Sequence, residues 1–489
     1  MRLPLMELNA QSAYIVVGTL LTCHVIYRFV VRRLQARTLP PKYWSWEFIK
    51  NFDYLFYTNI NPRNWVKFQT NLGPTYRVSN IFNPMSSICT GDPENVHAML
   101  AGRDWGNQFR LNGMGQMFEK GLLTVDGDEW MRSRKMVRPA FQRNNLDDFE
   151  VLSQMTEKMI AQIEKEKQVV DVGALLTDAF LNTSMHFILG LDPGKEDDGR
   201  PFSVSEFMKL WHEGIMGTGL RLILEHQHWM LPKKRFAIVC QKLHSFIDFA
   251  IAKARQNKDA QKSSKSMVYT ILPHAASSAD ARAQLMHTLF ANQDTTSTLI
   301  SNVVQILSTR PAIWTQLRTE VLEQGSHLFT FDNLRNNKVI QNIILEALRH
   351  RVIATPIGRR AIRHTILPKG GGIDGQSPLH IPAGTTGLVN LWSLHSDPKV
   401  YGADADEFKP ERWNHIKPGT NEFLPFGAGG RACLGQEKAV VETAFVLSKL
   451  SGRFESVQDM TGEWKPMGGM TIKNSSGYKV AFKSSVEMD

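Results

Sequence analysis

Cysteine is scarce in this chain of 489 residues, and the four present, Cys23, Cys89, Cys240 and Cys433, stand far apart. Neither a CxxC pair nor a disulfide framework follows from that spacing, which excludes a zinc module and points to a reducing compartment. Linkers are missing as well. Past the N-terminal region no Gly/Ser-rich or Pro-rich stretch divides the sequence, so residues 42–489 are expected to form one large domain. The net charge of +10 comes from scattered basic residues, with no basic helix or aromatic-studded strand motif among them, which argues against nucleic acid. Anionic lipid or an acidic redox partner suits such a surface better.

A nucleotide site is also absent, although a decoy is present. Gly370-Gly371-Gly372-Ile373-Asp374-Gly375 satisfies GxGxxG, but a dinucleotide fingerprint must lie between a strand and the start of a helix. Pro378 and Pro382 forbid that helix. The run reads as a hairpin tip between strands near Thr365 to Leu367 and His380 to Ile381. No flavin or nicotinamide domain is visible, so electrons for any redox chemistry must come from a separate protein.

One long apolar run exists, from Ala13 to Val31, interrupted by His24 and Arg28 and followed at once by Arg32, Arg33 and Arg37. A spanning helix needs about 20 residues, and positive charge on its C-terminal side keeps the remaining chain in the cytoplasm. A cleaved signal peptide, the rival reading, would carry its positive end before the run and a small-residue cleavage site after it. Residues 1–31 are therefore read as a membrane anchor and 32–41, with Leu39-Pro40-Pro41, as a stiff hinge. Beyond the hinge, long helical patterns alternate with short strand-like pieces, the pattern of a mainly helical α+β protein.

The most informative segment is Phe426-Gly427-Ala428-Gly429-Gly430-Arg431-Ala432-Cys433-Leu434-Gly435. Its glycines let the backbone turn tightly and bring N–H groups close to whatever the sulfur holds. The reading is a haem-thiolate loop, with Cys433 as the iron ligand, Phe426 beside the sulfur, Arg431 on a haem propionate, and Gly435 letting the next helix approach the porphyrin. Cys23, Cys89 and Cys240 read as small buried hydrophobes.

A second polar cluster, Ala291-Asn292-Gln293-Asp294-Thr295-Thr296, falls in the middle of a proline-free stretch from about Ala279 to Thr309 that reads as one long helix. Polar groups there must find partners inside the protein or face a cavity. A third feature is the stripe Ile340, Ile343, Ile344, Ala347, Leu348, with Glu346 and Arg349 on its flank. By itself a Glu-x-x-Arg is usually an exposed pair of small value.

Phe426, Gly429, Arg431, Cys433 and Gly435 together resemble the signature of the cytochrome P450 family. The resemblance implies that family's fold with an N-terminal transmembrane helix, haem b as cofactor, and oxidation by O2. It assigns Asp294 and Thr295 to proton relay and Trp130, Arg134 and Arg359 to haem contacts, Arg134 and Arg359 with Arg431 holding propionates. Arg132 and Arg360 lie close enough in sequence to compete for these roles. It also implies that Glu346, Arg349 and Arg412, the last in Pro410-Glu411-Arg412-Trp413, form a buried triad bracing the haem loop. The family usually has glycine where Asn292 stands, so the oxygen pocket is expected either to gain a hydrogen bond or to narrow.

Arg359-Arg360-Ala361, Thr365 to Gly372 and Gly121 to Gly127 are similar to the fungal alkane and fatty-acid hydroxylase branch and to related tailoring enzymes of secondary metabolism. That similarity implies a monooxygenase in the endoplasmic reticulum membrane, acting on a fatty-acyl, alkane-like or polyketide-type substrate. Its partners would be NADPH-cytochrome P450 reductase and cytochrome b5, docked on the basic face near Cys433. The substrate roof is expected from Trp105 to Met117 and from Ala354 and Thr355. Two alternatives stay open: a haem-thiolate isomerase or dehydratase that needs no reductase, which Asn292 encourages, and a haem-binding sensor without catalysis.

Overall fold

Capping and stripe decide where the helices that carry the site begin and what they bury. In the computed structural model the Asn337 side chain accepts from the Ile340 N–H at 3.1 Å and starts helix Lys338–His350, whose predicted stripe, Ile340 to Leu348, is buried throughout. Ser277 caps helix Ser278–Gln293 by accepting from the Asp280 N–H. Pro311 opens the helix after Thr309, where its missing N–H costs nothing. The structure describes residues 61–484 apart from 81–82, 167–168, 193–194, 196–197, 258, 260–263, 355 and 470. The anchor (1–31), the hinge (32–41) and Thr355 lie outside the described residues.

Six helices frame the site: α1 Gly127–Val137, α2 Val172–Leu189, α3 Ser278–Gln293, α4 Thr295–Ser308, α5 Lys338–His350 and α6 Gln436–Arg453. The expected single helix across 279–309 is instead two, α3 and α4, parted at Asp294 (φ −105°, ψ −25°). The cause is visible in the packing. Leu285, Met286 and Leu289 of α3 enter one core with Met185, Phe207 and Leu243, while Leu299, Val303 and Leu307 of α4 enter another with α5 and α6. Between the two cores the polar residues reach outward. Asn292 Nδ2 donates to Ser184 Oγ of α2 at 2.8 Å, and Gln293 Nε2 to Met208 Sδ at 3.2 Å.

The sheets stand at the edge of this helical body. β1 (Thr75–Asn80), β2 (Asn83–Thr90), β3 (Trp105–Gly106), β5 (Ile357–Ala361) and β8 (Thr386–Val389) make a five-stranded sheet in the order β1-β2-β8-β5-β3. Its β2–β8 pairing is parallel and the others antiparallel. β4 (Val169–Asp171), β9 (Phe454–Asp459) and β12 (Lys479–Ser484) form a second sheet, and β10 (Pro466–Met467) pairs with β11 (Lys473–Asn474). The GxGxxG run is the expected hairpin: β6 (Thr365–Gly371) pairs with β7 (Ser377–Ile381) in the register Thr365↔Ile381, with Gly372 and Gly375 at positive φ in the turn. Cys89 and Cys240 are buried, as read from the sequence.

Candidate active site

The Cys433 loop is shaped by backbone bonds before any ligand is considered. The Cys433 N–H donates to Phe426 O at 2.9 Å and the Ala432 N–H to Gly429 O at 3.1 Å. Gly427 and Gly429 both sit at φ +70°, and a Cβ on Gly429 would lie 2.4 Å from the Leu100 carbonyl oxygen, so a glycine is required there twice over. Gly435 differs. Its added Cβ would meet Phe141 at 3.5 Å and Cys433 Sγ at 3.9 Å, ordinary contacts that the chain itself tolerates.

The Cys433 thiol is exposed, and the space it opens onto is a cavity of about 430 Å³. Burial pushes the Cys433 pKa up, with the Gly435 N–H and the Arg134 guanidinium pulling the other way. Phe426, Gly435, Thr295 and Asn292 line the same space. Thr295 Oγ1 donates to the Ala291 carbonyl at 2.8 Å. Asp294 turns toward the C-terminal hairpin, where its carboxylate accepts from Thr471 Oγ1 at 2.6 Å and pairs with Lys473. The amide of Asn292 is likewise committed to Ser184.

Cations gather at one edge of the cavity. Arg431 bonds Asp126 Oδ1 at 2.5 Å and Val125 O at 2.8 Å, and lies 4.5 Å from the Trp130 ring. Arg134 donates to Ala432 O at 3.1 Å beside the same ring. Arg359, 7 % exposed, donates to Asn107 Oδ1 at 3.2 Å and to Gly358 O at 3.0 Å. Arg110 adds a fourth guanidinium, donating to that same Gly358 O at 3.2 Å. Burial and mutual repulsion press these cations down, Arg359 to about 9 and Arg110 to about 10. The competing arginines point elsewhere: Arg132 pairs with Asp280 at 2.7 Å, and Arg360 reaches Thr386 and the Phe109 ring.

Sequence reasoning reached Asn107 and Arg110 only as members of the 105–117 segment, and did not single out Asp126 or His287. Asp126 alone had a signal, its place just ahead of the Trp130 helix. His287 lies on α3 and lines the cavity; its Nδ1 accepts from the Leu123 N–H at 3.0 Å while its Nε2–H donates to Phe118 O at 3.0 Å. Burial lowers it to about 4, so the ring is neutral and ties the 118–123 segment to the helix. Of the 105–117 segment, Asn107 and Arg110 face the cavity, within the cationic edge, while Met114 and Met117 enter the core. Ala354 lines the cavity and bridges to Thr471.

The triad is present and buried. Glu346, fully buried, accepts from Arg349 Nη2 at 2.7 Å and Nε at 2.9 Å, from Trp413 Nε1 at 3.0 Å and from the Lys409 N–H at 3.0 Å, with Arg412 Nε at 3.5 Å. Arg349 also donates to His395 O at 3.0 Å, and His395 Nε2 accepts from the Leu424 N–H at 3.0 Å, at the entry to the cysteine loop.

With this geometry in hand, the family model described as "Cytochrome P450" matches residues 39–482. The chain belongs to the cytochrome P450 family. It is similar to "Cytochrome P450 monooxygenase FPY7" of Fusarium mangiferae, at 29% identity over 433 residues covering 85% of this chain and 82% of that one. "Cytochrome P450 52A10" of Candida maltosa is 30% identical over 402 residues, covering 76% and 77%. Among solved structures, "Crystal structure of cytochrome P450DA heme domain" superposes with a TM-score of 0.74 at 19% identity, covering 92% of this chain and 97% of that one. The protein is a cytochrome P450 monooxygenase, and its cofactor is haem b. The residues fit that group: a thiol opens into the cavity, and guanidiniums in excess of carboxylate sit at its edge. Cys433 would ligate the iron, and Arg134, Arg359 and Arg431 would hold the propionates.

Proposed function

We propose that this enzyme hydroxylates a C–H bond of a lipophilic substrate, fatty-acyl, alkane-like or polyketide-type, with electrons from NADPH-cytochrome P450 reductase and cytochrome b5. The observation that carries this reading is the sharing of one cavity by the Cys433 thiol, the Thr295 hydroxyl and the arginine edge. Leu122, Leu123, Phe290, Val352 and Pro356 give the cavity apolar walls suited to such a substrate. When bound, haem b supplies the activation of O2.

The chain's own residues then divide the remaining work. Thr295 Oγ1 holds a proton at the cavity, and Asp294, one residue away, takes up its replacement on the side of Thr471 and Lys473. Changing Asp294→Asn lowers kcat by about a hundredfold or more on this reading. Lys135 and Arg138 expose positive charge beside Arg134 and the cysteine loop, a face suited to an acidic reductase surface. Residues 1–31 anchor the enzyme in the endoplasmic reticulum membrane with the catalytic domain in the cytoplasm.

The isomerase or dehydratase reading drew on Asn292 standing where the family usually has glycine, either bonding or narrowing the oxygen pocket; the bond from its amide to Ser184 favours the monooxygenase reading. The deciding experiment is the ferrous-CO spectrum of the purified protein. Thiolate ligation red-shifts the Soret band, Cys433→Ser abolishes the shift, and turnover requires reductase and NADPH. A histidine-type carbonyl spectrum, or turnover without reductase, refutes the reading.

A further inference from the structure

A second cavity of about 450 Å³ lies away from the active site, between the C-terminal end of α2, the first turns of α6 and the helix Glu150–Glu166. Among the described residues, none lines both this cavity and the one at Cys433. Its walls are mixed. Phe149, Leu152 and Val441 give it an apolar side, while Asp148, Glu150, Asp192 and Glu442 bring four carboxylates. The lysines that line it are Lys265 and Lys438.

Both lysines are already committed. Lys265 donates to Asp147, outside the cavity wall, at 2.6 Å, and Lys438 donates to Glu442 Oε1 while resting 4.7 Å from the Phe187 ring. His186 adds no charge, since burial holds its pKa below the ordinary histidine range although Asp148, Asp192 and Glu150 pull it up. Asp148 accepts from the Glu150 backbone N–H at 3.1 Å and Glu150 from the Gln154 amide at 3.4 Å, neither donor being a cation. The buried carboxylate is that of Glu442. It is 7 % exposed, and its Oε2 has no hydrogen-bond partner among the described residues. A buried carboxylate oxygen without a donor is costly, and a cation is the group best able to supply one.

We infer that this cavity is a binding site for a small organic cation, a protonated amine or guanidine on a short hydrocarbon chain. Its head takes the open oxygen of Glu442, the exposed carboxylates of Asp148 and Glu150 hold it from the mouth, and its chain lies against Phe149, Leu152 and Val441. An anion would meet carboxylates and no uncommitted lysine, and a neutral molecule would leave those carboxylates uncompensated. A metal ion does not fit, because among the described residues no group of three His, Cys, Asp or Glu side chains is placed to hold one.

The test titrates butylguanidinium chloride into the haem-loaded, full-length enzyme by calorimetry near neutral pH, with butyramide as the neutral control. A guanidinium stays protonated there and does not compete for iron as a neutral amine would. The wild type should bind the cation roughly tenfold or more tightly than butyramide, with the gap shrinking at high ionic strength. Glu442→Gln should erase most of that preference while haem content is unchanged. The double variant Asp148→Asn, Glu150→Gln, both at exposed positions outside the core, should weaken the cation severalfold and leave butyramide as it was. Equal affinity for the two probes in the wild type, or no saturable binding of the cation, overturns the proposal. So does a folded Glu442→Gln enzyme that keeps the preference, or a double variant that binds the cation as the wild type does; the double variant decides the matter alone should Glu442→Gln fail to fold.

Discussion

Removing the Glu346 carboxylate should release the cysteine loop before it unfolds the helices. In Glu346→Ala, the Arg349 guanidinium, 2 % exposed, and that of Arg412, 8 % exposed, lose the acid they share. Breaking a buried ion pair by deleting one partner costs about 3–5 kcal/mol. The Trp413 indole and the Lys409 amide also lose their acceptor, adding on the order of 1 kcal/mol each. The sum, about 5–7 kcal/mol, is a large share of the roughly 5–15 kcal/mol that holds a domain folded. Glu346→Gln keeps the shape and one acceptor oxygen and should cost about half as much.

The loss is transmitted through Arg349 to His395 O and from His395 Nε2 to the Leu424 N–H, and beside it Tyr401 donates to Glu422 O at 3.2 Å. Urea titration followed at once by the ferrous-CO Soret band and by far-ultraviolet circular dichroism reads both events. The variant should lose the thiolate band at a lower urea concentration than its helices, with both midpoints below the wild type. A variant within 1 kcal/mol of the wild type, or one that unfolds at low urea while keeping the thiolate band to the end, refutes the bracing argument.

Three further outcomes follow from the same structure. Gly429→Ala, at φ +70° and 2.4 Å from the Leu100 oxygen, should cost roughly 2 kcal/mol or more and show as a lower urea midpoint. Gly435→Ala meets only ordinary contacts, so its haem-free form should unfold within about 0.5 kcal/mol of the wild type while its haem content falls. The acid response has a definite sign: burial lowers His287 to about 4 and His395 to about 3, so the unfolded chain binds more protons below about pH 6.5. Their contribution is present above that value and is lost as pH falls, at about 1.4 kcal/mol per unit for each, or roughly 4 kcal/mol by pH 5. Equal stability at pH 7 and pH 5 contradicts it.

The parts of this site that were legible in the sequence are those in which a local pattern is itself the cause. Gly427 and Gly429 of the cysteine loop are demanded by backbone φ, the α5 stripe by helical period, and the GxGxxG decoy was unmasked by its prolines. Arg110 was reached only through the 105–117 segment, because nothing local distinguishes it from its neighbours. It becomes a site residue only when β5 brings Gly358 and Arg359 beside it, more than two hundred residues along the chain. The break at Asp294 was illegible for a related reason. Periodicity reports that a segment prefers to be helical, whereas the interruption comes from partners on three other elements.

That break bears on how the oxygen pocket opens without the customary glycine. An asparagine at 292 would fill the space if its amide turned inward, and it is kept outward by Ser184, whose own hydroxyl donates to Phe180 O at 2.6 Å. The Gln293 and Asp294 side chains bond Met208 and Thr471 of the C-terminal hairpin, and we propose that these bonds, and not a missing side chain, keep the cavity open at the break. Ser184→Ala deletes the acceptor, and a half-buried amide deprived of a bond worth about 1 kcal/mol will seek another in the cavity beside Thr295. The rate of CO binding to the ferrous enzyme should then fall severalfold, and Asn292→Gly in the same background should restore it. If CO binds the Ser184→Ala enzyme as fast as the wild type, the outward bond is not what keeps the pocket open.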